Sequence, residues 1–139
     1  MPQPRVRAPI LARDDAGMAD KDVLGRAGED RAARYFEQQG FTVLDRNWRC
    51  REGELDLVVA DRAAVVVVEV KTRRGEGFGH PFEAIDARKR VRLWRLAIAW
   101  VGAHRDLVQG RRLRIDAIGL TGTEPATARL EHLVDVEVP

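Results

Sequence analysis

Residues 53–72 read GELDLVVADRAAVVVVEVKT, and the predicted fold class follows mainly from these twenty residues. Glu54 to Ala60 alternates in polarity and is typical of a strand, and Ala64 to Thr72 is a second, valine-rich strand. Residues 61–62 between them suit the loop of a short antiparallel hairpin. Because Val65 to Val68 has no polar alternation, we expect the second strand to be buried on both faces and central in its sheet.

Further elements are predicted on both sides of this hairpin. A helix is expected to begin near Asp20 and to end at Gly40, since glycine commonly closes a helix in the left-handed conformation. The remaining elements are an extended segment, a glycine-rich loop, a second helix and two strands, at 41–49, 73–81, 82–104, 113–120 and 130–138. The order αβββαββ predicts an α/β protein with a mixed central sheet flanked by helices. Residues 1–20 are predicted to form a flexible tail, which leaves one domain at 21–139.

The composition narrows the classes of function. The chain has 139 residues, and its one cysteine excludes an intrachain disulfide and a multi-cysteine zinc site. It contains no serine, so a serine nucleophile is excluded, and it has no Walker-type phosphate-binding loop. No apolar run reaches the ~20 residues of a membrane span, and no signal peptide is evident. These features predict a cytoplasmic protein without a membrane partner.

Three charged residues of the hairpin are expected to lie together. Side chains alternate faces along a strand, so Glu69 and Lys71 share one face. A register that sets Val58 opposite Val67 also sets Asp56 opposite Glu69, on that same face. The other face of the first strand is predicted to carry its apolar residues Leu55, Leu57 and Val59.

Two carboxylates beside a buried strand are costly, because each raises the other's pKa and burial does so too. A divalent cation such as Mg²⁺ or Mn²⁺ removes that cost, since it prefers oxygen ligands, and it can polarise a phosphoryl oxygen. Asp56 and Glu69 are therefore candidate metal ligands, and Lys71 is a candidate to orient or deprotonate an attacking water. Glu29 borders the predicted sheet-facing stripe of the first helix. It is a further candidate metal ligand, which would complete the shell or position a water-linked ligand. The alternative is a plain cross-strand ion pair on a solvated face.

The basic residues are mostly arginines, and several follow the hairpin closely. Only three of the 24 basic residues are lysines. The second helix should bury an apolar stripe of Val91, Trp94, Ala97, Ile98 and Val101. Candidate phosphate contacts lie at the end of the hairpin and on this helix, at Arg73, Arg88, Lys89, Arg92 and Arg95. A solvated helix face is the alternative for these arginines.

The glycine-rich loop before the second helix offers one aromatic side chain. Residues 75–80 read GEGFGH, which lacks the spacing of a nucleotide-binding glycine loop. Phe78 is able to stack on a base of a nucleic-acid strand, whereas the alternative is a purely structural turn. The three histidines show no metal-ligand spacing and receive no role.

Several blocks of this sequence resemble one bacterial family. They are GRAGED at 25–30, GF at 40–41, NWR at 47–49, GELDL at 53–57 and VEVKTR at 68–73. Their order and spacing resemble the YraN-like family, UPF0102, which is placed in the restriction-endonuclease-like superfamily near archaeal Holliday junction resolvases. The resemblance covers Leu24 to Val101 and extends loosely to Arg114-Ile115-Asp116.

The resemblance implies a PD-(D/E)XK core with the order αβββαβ. It implies that Asp56 and Glu69 bind the metal, that the backbone carbonyl of Val70 is a further ligand, and that Lys71 is the catalytic lysine. Glu29 matches the acid that the resolvase-like branch carries on its first helix. The proline of the superfamily's motif is missing, because Gly53-Glu54 stands before Leu55-Asp56.

Together these features predict a Mg²⁺- or Mn²⁺-dependent nuclease that hydrolyses phosphodiester bonds, with DNA, including branched or structured DNA, as the expected substrate. Its catalytic residues would be Glu29, Asp56, Glu69 and Lys71. A homodimer is a possible arrangement for cutting two strands, since one chain presents one site. The alternatives are a nucleic-acid-binding module of the same fold without turnover, and a protein-interaction adaptor that docks through its final strand.

Overall fold

The structure, a computed structural model, describes residues 16–139 of the chain, and the side chains from Val23 onward. Most of the predicted tail, residues 1–15, lies outside the described residues. Five strands and three helices make up the fold: α1 (Ala16–Gln38), β1 (Thr42–Cys50), β2 (Gly53–Ala60), β3 (Ala64–Arg73), α2 (Ala87–Ala103), α3 (Arg105–Val108), β4 (Arg112–Thr121) and β5 (Arg129–Leu133). Two 3-10 turns, Glu76–Phe78 and Pro81–Ala84, lie between β3 and α2.

The five strands form one mixed sheet in the order β1-β2-β3-β4-β5. The strands β1, β2 and β3 are antiparallel neighbours, β4 runs parallel to β3, and β5 is antiparallel to β4. The parallel pair requires a crossover, which α2 supplies. The predicted α/β class, with a mixed sheet flanked by helices, is confirmed.

The strand β3 lies at the centre of the sheet, as its valine run predicts. Val65 to Val68 are fully buried, because the sheet is covered on both faces. Side chains such as Phe36, Val66 and Ile118 form the core on the side of α1. Side chains such as Val67, Leu93 and Trp100 form the core on the side of α2. Successive side chains of β3 alternate between the two faces of the sheet, so this strand contributes to both cores.

The ends of three predicted elements differ in the structure. The described part of α1 already includes Ala16, ahead of the predicted start at Asp20. The helix α2 begins at Ala87 rather than near residue 82, because Asp86 caps it by accepting the backbone N–H of Lys89 at 2.9 Å. The last strand ends at Leu133, since the chain turns at Asp135, which has a φ of 58°.

The buried face of α2 also differs from the predicted stripe. The buried residues are Leu93, Leu96, Ala97 and Trp100, whereas Ile98 is exposed and Val91, Trp94 and Val101 are only partly buried. The predicted stripe was therefore wrong in its phase around the helix. The arginine-rich sequence offers two possible apolar faces, and packing on the sheet selects the one with Leu93, Leu96 and Trp100.

The alternation along β2 is interrupted close to Asp56. Leu57 and Val59 pack in the α1-side core, but Leu55 packs in the α2-side core, so the prediction that the three share a face was wrong. The β1–β2 register passes from Arg46–Leu57 to Trp48–Leu55 without pairing Asn47 with Asp56. Asn47 has a φ of 51°, and this local irregularity explains the change of face.

Within the described part of the chain, no helix is long and apolar enough to span a membrane.

Candidate active site

The predicted register of the central hairpin is confirmed. Val58 pairs with Val67 and Ala60 pairs with Val65. The last backbone pair of the β2–β3 ladder at this end joins Leu57 to Val68. Asp56 and Glu69 are the next residue on each strand, just beyond that pair. The two carboxylates therefore lie where the strands stop pairing, at the end of a fully buried strand pair.

A side-chain hydrogen bond of Asp56 takes the place of the next backbone pair. Its Oδ2 accepts the backbone N–H of Val70 at 2.9 Å. Burial, with the nearby charge of Glu69 as the second cause, raises the pKa of Asp56 from 3.8 to about 8, and the Val70 hydrogen bond opposes that rise. The Asp56 carboxyl group is thus held beside Glu69 in an environment that disfavours its ionised form.

Glu69 is 4% exposed, and two lysines contact it from different elements. The Nζ atom of Lys71 lies 3.7 Å from Glu69 Oε2, and the Nζ atom of Lys89 lies 3.2 Å from the same oxygen. Lys71 reaches it from the same strand, and Lys89 reaches it from the first turn of α2. The contact with Lys89 was not predicted, since the sequence placed this lysine with the phosphate-binding arginines.

Glu29 lies at the edge of this cluster. Its Oε1 accepts a hydrogen bond from the side-chain nitrogen of Asn47 at 2.9 Å. Burial raises the pKa of Glu29, and its charge in turn contributes to the raised pKa of Asp56. Asn47, which has a left-handed backbone, thus holds a third acidic group near the site through its side-chain amide.

The donor set fits a metal only in part. Among the side chains described, from Val23 onward, no three of His, Cys, Asp or Glu are gathered closely enough to hold an ion. Two carboxylates, Asp56 and Glu69, remain as adjacent oxygen donors, and their electrostatic conflict is of the kind that a divalent cation relieves. Mg²⁺ is commonly bound by one or two carboxylates and keeps several waters. The residues present therefore fit a sparsely ligated Mg²⁺ better than a fully protein-ligated ion.

The predicted phosphate contacts occupy different environments. Arg88, Arg92 and Arg95 are exposed on α2, and none of the three makes an ion pair with another described residue. Arg73 is partly buried, and its Nη1 donates to the carbonyl of Thr72 at 3.2 Å. Three arginines on α2 are thus free to meet an anion, on the helix that also supplies Lys89.

A second polar cluster lies on the opposite face of the sheet, and the sequence did not predict it. Asp116 is fully buried and accepts hydrogen bonds from Arg114 Nε and from the backbone N–H of Asp135, both at 2.9 Å. His132 joins Asp116 at 2.7 Å and Tyr35 Oη at 2.8 Å. These hydrogen bonds lower the pKa of Asp116 despite its burial. The cluster connects α1, β4 and the C-terminal segment, which is a structural role.

The fold and the site define an α/β domain that carries two carboxylates, the buried Glu69 and the partly buried Asp56, and two lysines at the end of its central strands. The chain belongs to the family described as "Uncharacterised protein family UPF0102", whose sequence model matches residues 28–120. That range contains every candidate site residue, from Glu29 to Arg95.

Curated relatives carry the same family name. The UPF0102 protein of Paenarthrobacter aurescens (strain TC1) is 47% identical over 116 residues, which cover 84% of this chain and 94% of the relative. That of Arthrobacter sp. (strain FB24) is also 47% identical over 116 residues, with 84% and 97% covered. The UPF0102 protein of Nocardia farcinica is 43% identical over 126 residues, with 91% and 94% covered. The predicted family is confirmed, and these names describe no activity.

Proposed function

We propose that this protein is a metal-dependent nuclease of the PD-(D/E)XK type that hydrolyses phosphodiester bonds in DNA. The observation that carries the proposal is the convergence of Asp56, Glu69 and Lys71 where the β2–β3 ladder ends. Burial and the neighbouring charge of Glu69 raise the pKa of Asp56, and a carboxyl group perturbed in this way is typical of a functional site.

Asp56, Glu69 and the backbone carbonyl of Val70 would hold Mg²⁺ or Mn²⁺. When bound, the ion would supply polarisation of a phosphoryl oxygen and would neutralise charge that develops on the phosphate. Asp56 is preorganised by the Val70 N–H, which fixes one of its oxygens and leaves the other for a ligand. Glu29 would orient a water in the outer part of the site.

Lys71 and Lys89, which both contact Glu69, would act on the substrate and on the attacking water. Lys71 lies 3.7 Å from Glu69 and is partly exposed, so it can reach a water or a phosphate oxygen next to the carboxylates. Its role is to orient the attacking water and to stabilise negative charge at phosphorus. Lys89, 3.2 Å from the same Glu69 oxygen, positions that carboxylate and adds positive charge at the entrance.

The exposed arginines of α2 support a nucleic acid as the substrate. Arg88, Arg92 and Arg95 lie on the helix that begins next to the site, and a guanidinium binds phosphate in a bidentate geometry. Such contacts give affinity with little sequence preference. Cleavage of both strands of a duplex would require two chains, and a homodimer is part of the proposal only for that case.

The test is a cleavage assay of the purified protein on branched, flap and single-stranded DNA with Mg²⁺ or Mn²⁺. Wild type is expected to give metal-dependent products, and Glu69→Gln and Lys71→Ala are each expected to lose at least about 10²-fold in rate. Glu37→Gln, an exposed carboxylate at the end of α1, is the matched control and should cleave like wild type. Equal cleavage by wild type, Glu69→Gln and Lys71→Ala would refute the mechanism.

One observation favours a second candidate, a nucleic-acid-binding module without turnover. Lys71 and Lys89 already compensate the charge of Glu69, and no third carboxylate among the described side chains completes a metal-binding group with Asp56 and Glu69. This candidate predicts salt-sensitive DNA binding that survives Asp56→Asn and gives no metal-dependent product. The same cleavage assay, run alongside a binding titration, separates the two candidates.

A further inference from the structure

The loop between β3 and α2 holds one apolar side chain in solvent. Phe78 is 67% exposed, the highest value among the large hydrophobic side chains that the structure describes. It lies at the end of the 3-10 turn Glu76–Phe78, on the connection that joins the strand of Lys71 to the helix of Lys89. An aromatic ring is thus presented to solvent on the segment that links the two lysines of the site.

The exposure of Phe78 is not the result of a loosely tethered loop. The turn is closed by backbone hydrogen bonds from Phe78 to Gly75 and from Gly79 to Glu76, at 3.2 and 3.1 Å. Arg129 of β5 holds Glu76 at 3.1 Å from one side. The ring is therefore held outward by an ordered turn, and binding through it would cost little conformational entropy.

His80, two residues after Phe78, anchors the other end of this turn. Its Nδ1 accepts the backbone N–H of Phe82 at 3.0 Å, so its Nε2 is the atom that donates to Glu131 at 2.9 Å. Gly79 has a φ of 85°, and a Cβ there would come within 2.7 Å of a Glu83 oxygen. Both ends of the turn are thus fixed to β5 or to the second 3-10 turn.

The charged residues around the loop indicate which kind of ligand the Phe78 ring contacts. Arg73 and the exposed Arg74 directly precede the loop, and Gly75 and Gly77 leave open space beside the backbone, whereas Arg129 is already paired with Glu76. Positive charge next to an exposed aromatic ring matches the phosphates and bases of a nucleic-acid strand. Inside a paired duplex the base faces are already stacked, so only an unpaired base offers a free face.

We propose that Phe78 stacks on an unpaired base next to the candidate site, so that the protein selects nucleic acid with a junction, flap or single-stranded end. This inference rests on the proposed function, because it assumes that nucleic acid is the ligand. It adds a specificity-determining residue and narrows the substrate to DNA that has unpaired bases beside a duplex.

The experiment measures binding without metal, so that it does not depend on cleavage. The probe is a DNA duplex with a single-stranded overhang whose first unpaired base is 2-aminopurine, a base whose fluorescence falls on stacking. Wild type is expected to quench the unpaired probe, and Phe78→Ala is expected to lose the quenching and to bind at least about fivefold more weakly. Phe78→Tyr should restore both, since it keeps the ring.

Two controls make the readout specific. Val134→Ala removes another exposed apolar side chain, located after β5, and should behave like wild type. A probe with 2-aminopurine inside the paired duplex should show no effect of Phe78→Ala. Equal quenching by wild type and Phe78→Ala would overturn the inference, because the ring would then not stack on the unpaired base. An equal fall in affinity for the fully paired duplex would also overturn it, because Phe78 would then contact DNA without selecting unpaired bases.

The outcomes also separate this inference from the proposed nuclease. Quenching that depends on Phe78 without any metal-dependent cleavage would overturn the nuclease and keep the unpaired base as the ligand of Phe78. Cleavage without such quenching would keep the nuclease and overturn the role of Phe78. Absence of all DNA binding by wild type would overturn both.

Discussion

Asp56 bears a carboxyl group that burial and the neighbouring Glu69 make costly to ionise. Its pKa is raised from 3.8 to about 8. Between these two values the folded protein keeps the proton on Asp56, whereas the unfolded chain releases it. The contribution of protonated Asp56 to the free energy of unfolding is therefore fully present below the pKa of the unfolded chain, 3.8. It is lost as the pH rises through the pKa of the folded protein, about 8.

The first prediction concerns the stability of Asp56→Asn as a function of pH. Asparagine keeps an oxygen that can accept the Val70 N–H but cannot ionise, so its contribution does not fall with rising pH. We expect the variant to unfold at a higher temperature than wild type near pH 9, with the difference shrinking towards pH 5. Thermal unfolding followed by circular dichroism measures both proteins across this range.

Added Mg²⁺ provides the control for that prediction. If Asp56 binds the ion in its ionised form, Mg²⁺ should raise the unfolding temperature of wild type more than that of Asp56→Asn. A difference between the two proteins that does not change with pH would contradict the raised pKa of Asp56.

The sequence predicted part of this residue-scale arrangement. The common face of Glu69 and Lys71 follows from strand alternation, and the Val58–Val67 register follows from the length of the hairpin loop. The contact of Lys89 with Glu69 was not predictable, because it depends on where α2 begins and on its rotation over the sheet. Both are set by the Asp86 cap and by long-range packing.

At the scale of the elements, α1 and β3 approach each other closely at Gly28. A Cβ at this position would lie 2.5 Å from the Cγ2 atom of Thr72 and 3.4 Å from Leu120 Cδ1. Glycine is thus required for the packing of α1 on the sheet and, in turn, for the position of the adjacent Glu29.

The second prediction compares alanine substitutions at two glycines of α1. Gly28→Ala is expected to destabilise the protein by about 1–3 kcal/mol, because the added methyl group overpacks the contact with Thr72. Gly25→Ala is the matched control: no atom lies within 4 Å of its Cβ, so the better helix propensity of alanine should stabilise by up to about 1 kcal/mol. Urea unfolding measures both, and equal effects would refute the close approach.

The third prediction concerns the arginine face of α2. Replacing Arg88, Arg92 and Arg95 by glutamine should weaken DNA binding and reduce the slope of log affinity against log salt by about one for each phosphate that is no longer neutralised. Arg62→Gln, on the exposed β2–β3 loop at the other end of the hairpin, is the control. A titration at several salt concentrations checks this, and an unchanged slope in the triple variant would exclude α2 as the phosphate-binding face.

The elements were predicted best where the pattern is local. The β2–β3 hairpin could be predicted from its loop and its valine run. The buried face of α2 was predicted wrongly, because arginines are spread around the whole helix. The end of β5 was also missed, since the turn at Asp135 depends on a hydrogen bond to Asp116, which lies 19 residues away in the sequence.

At the scale of the whole molecule, the two faces of the sheet carry different polar groups. The α2 side holds Glu69 with its two lysines, and the α1 side holds the buried Asp116 with Arg114 and His132. The mixed sheet was predictable, because a hairpin followed by a helical crossover implies it. The Asp116 cluster was not, because it joins residues that are distant in the sequence through tertiary packing.

An ion bound between Asp56 and Glu69 would be direct evidence for the proposed metal site. A crystal soaked in Mn²⁺ and measured for anomalous scattering should show one peak about 2.1 Å from carboxylate oxygens of both Asp56 and Glu69. Crystals of Glu69→Gln under the same conditions should lack it. A crystal without a peak between these two carboxylates, with Lys89 still in contact with Glu69, would contradict the account.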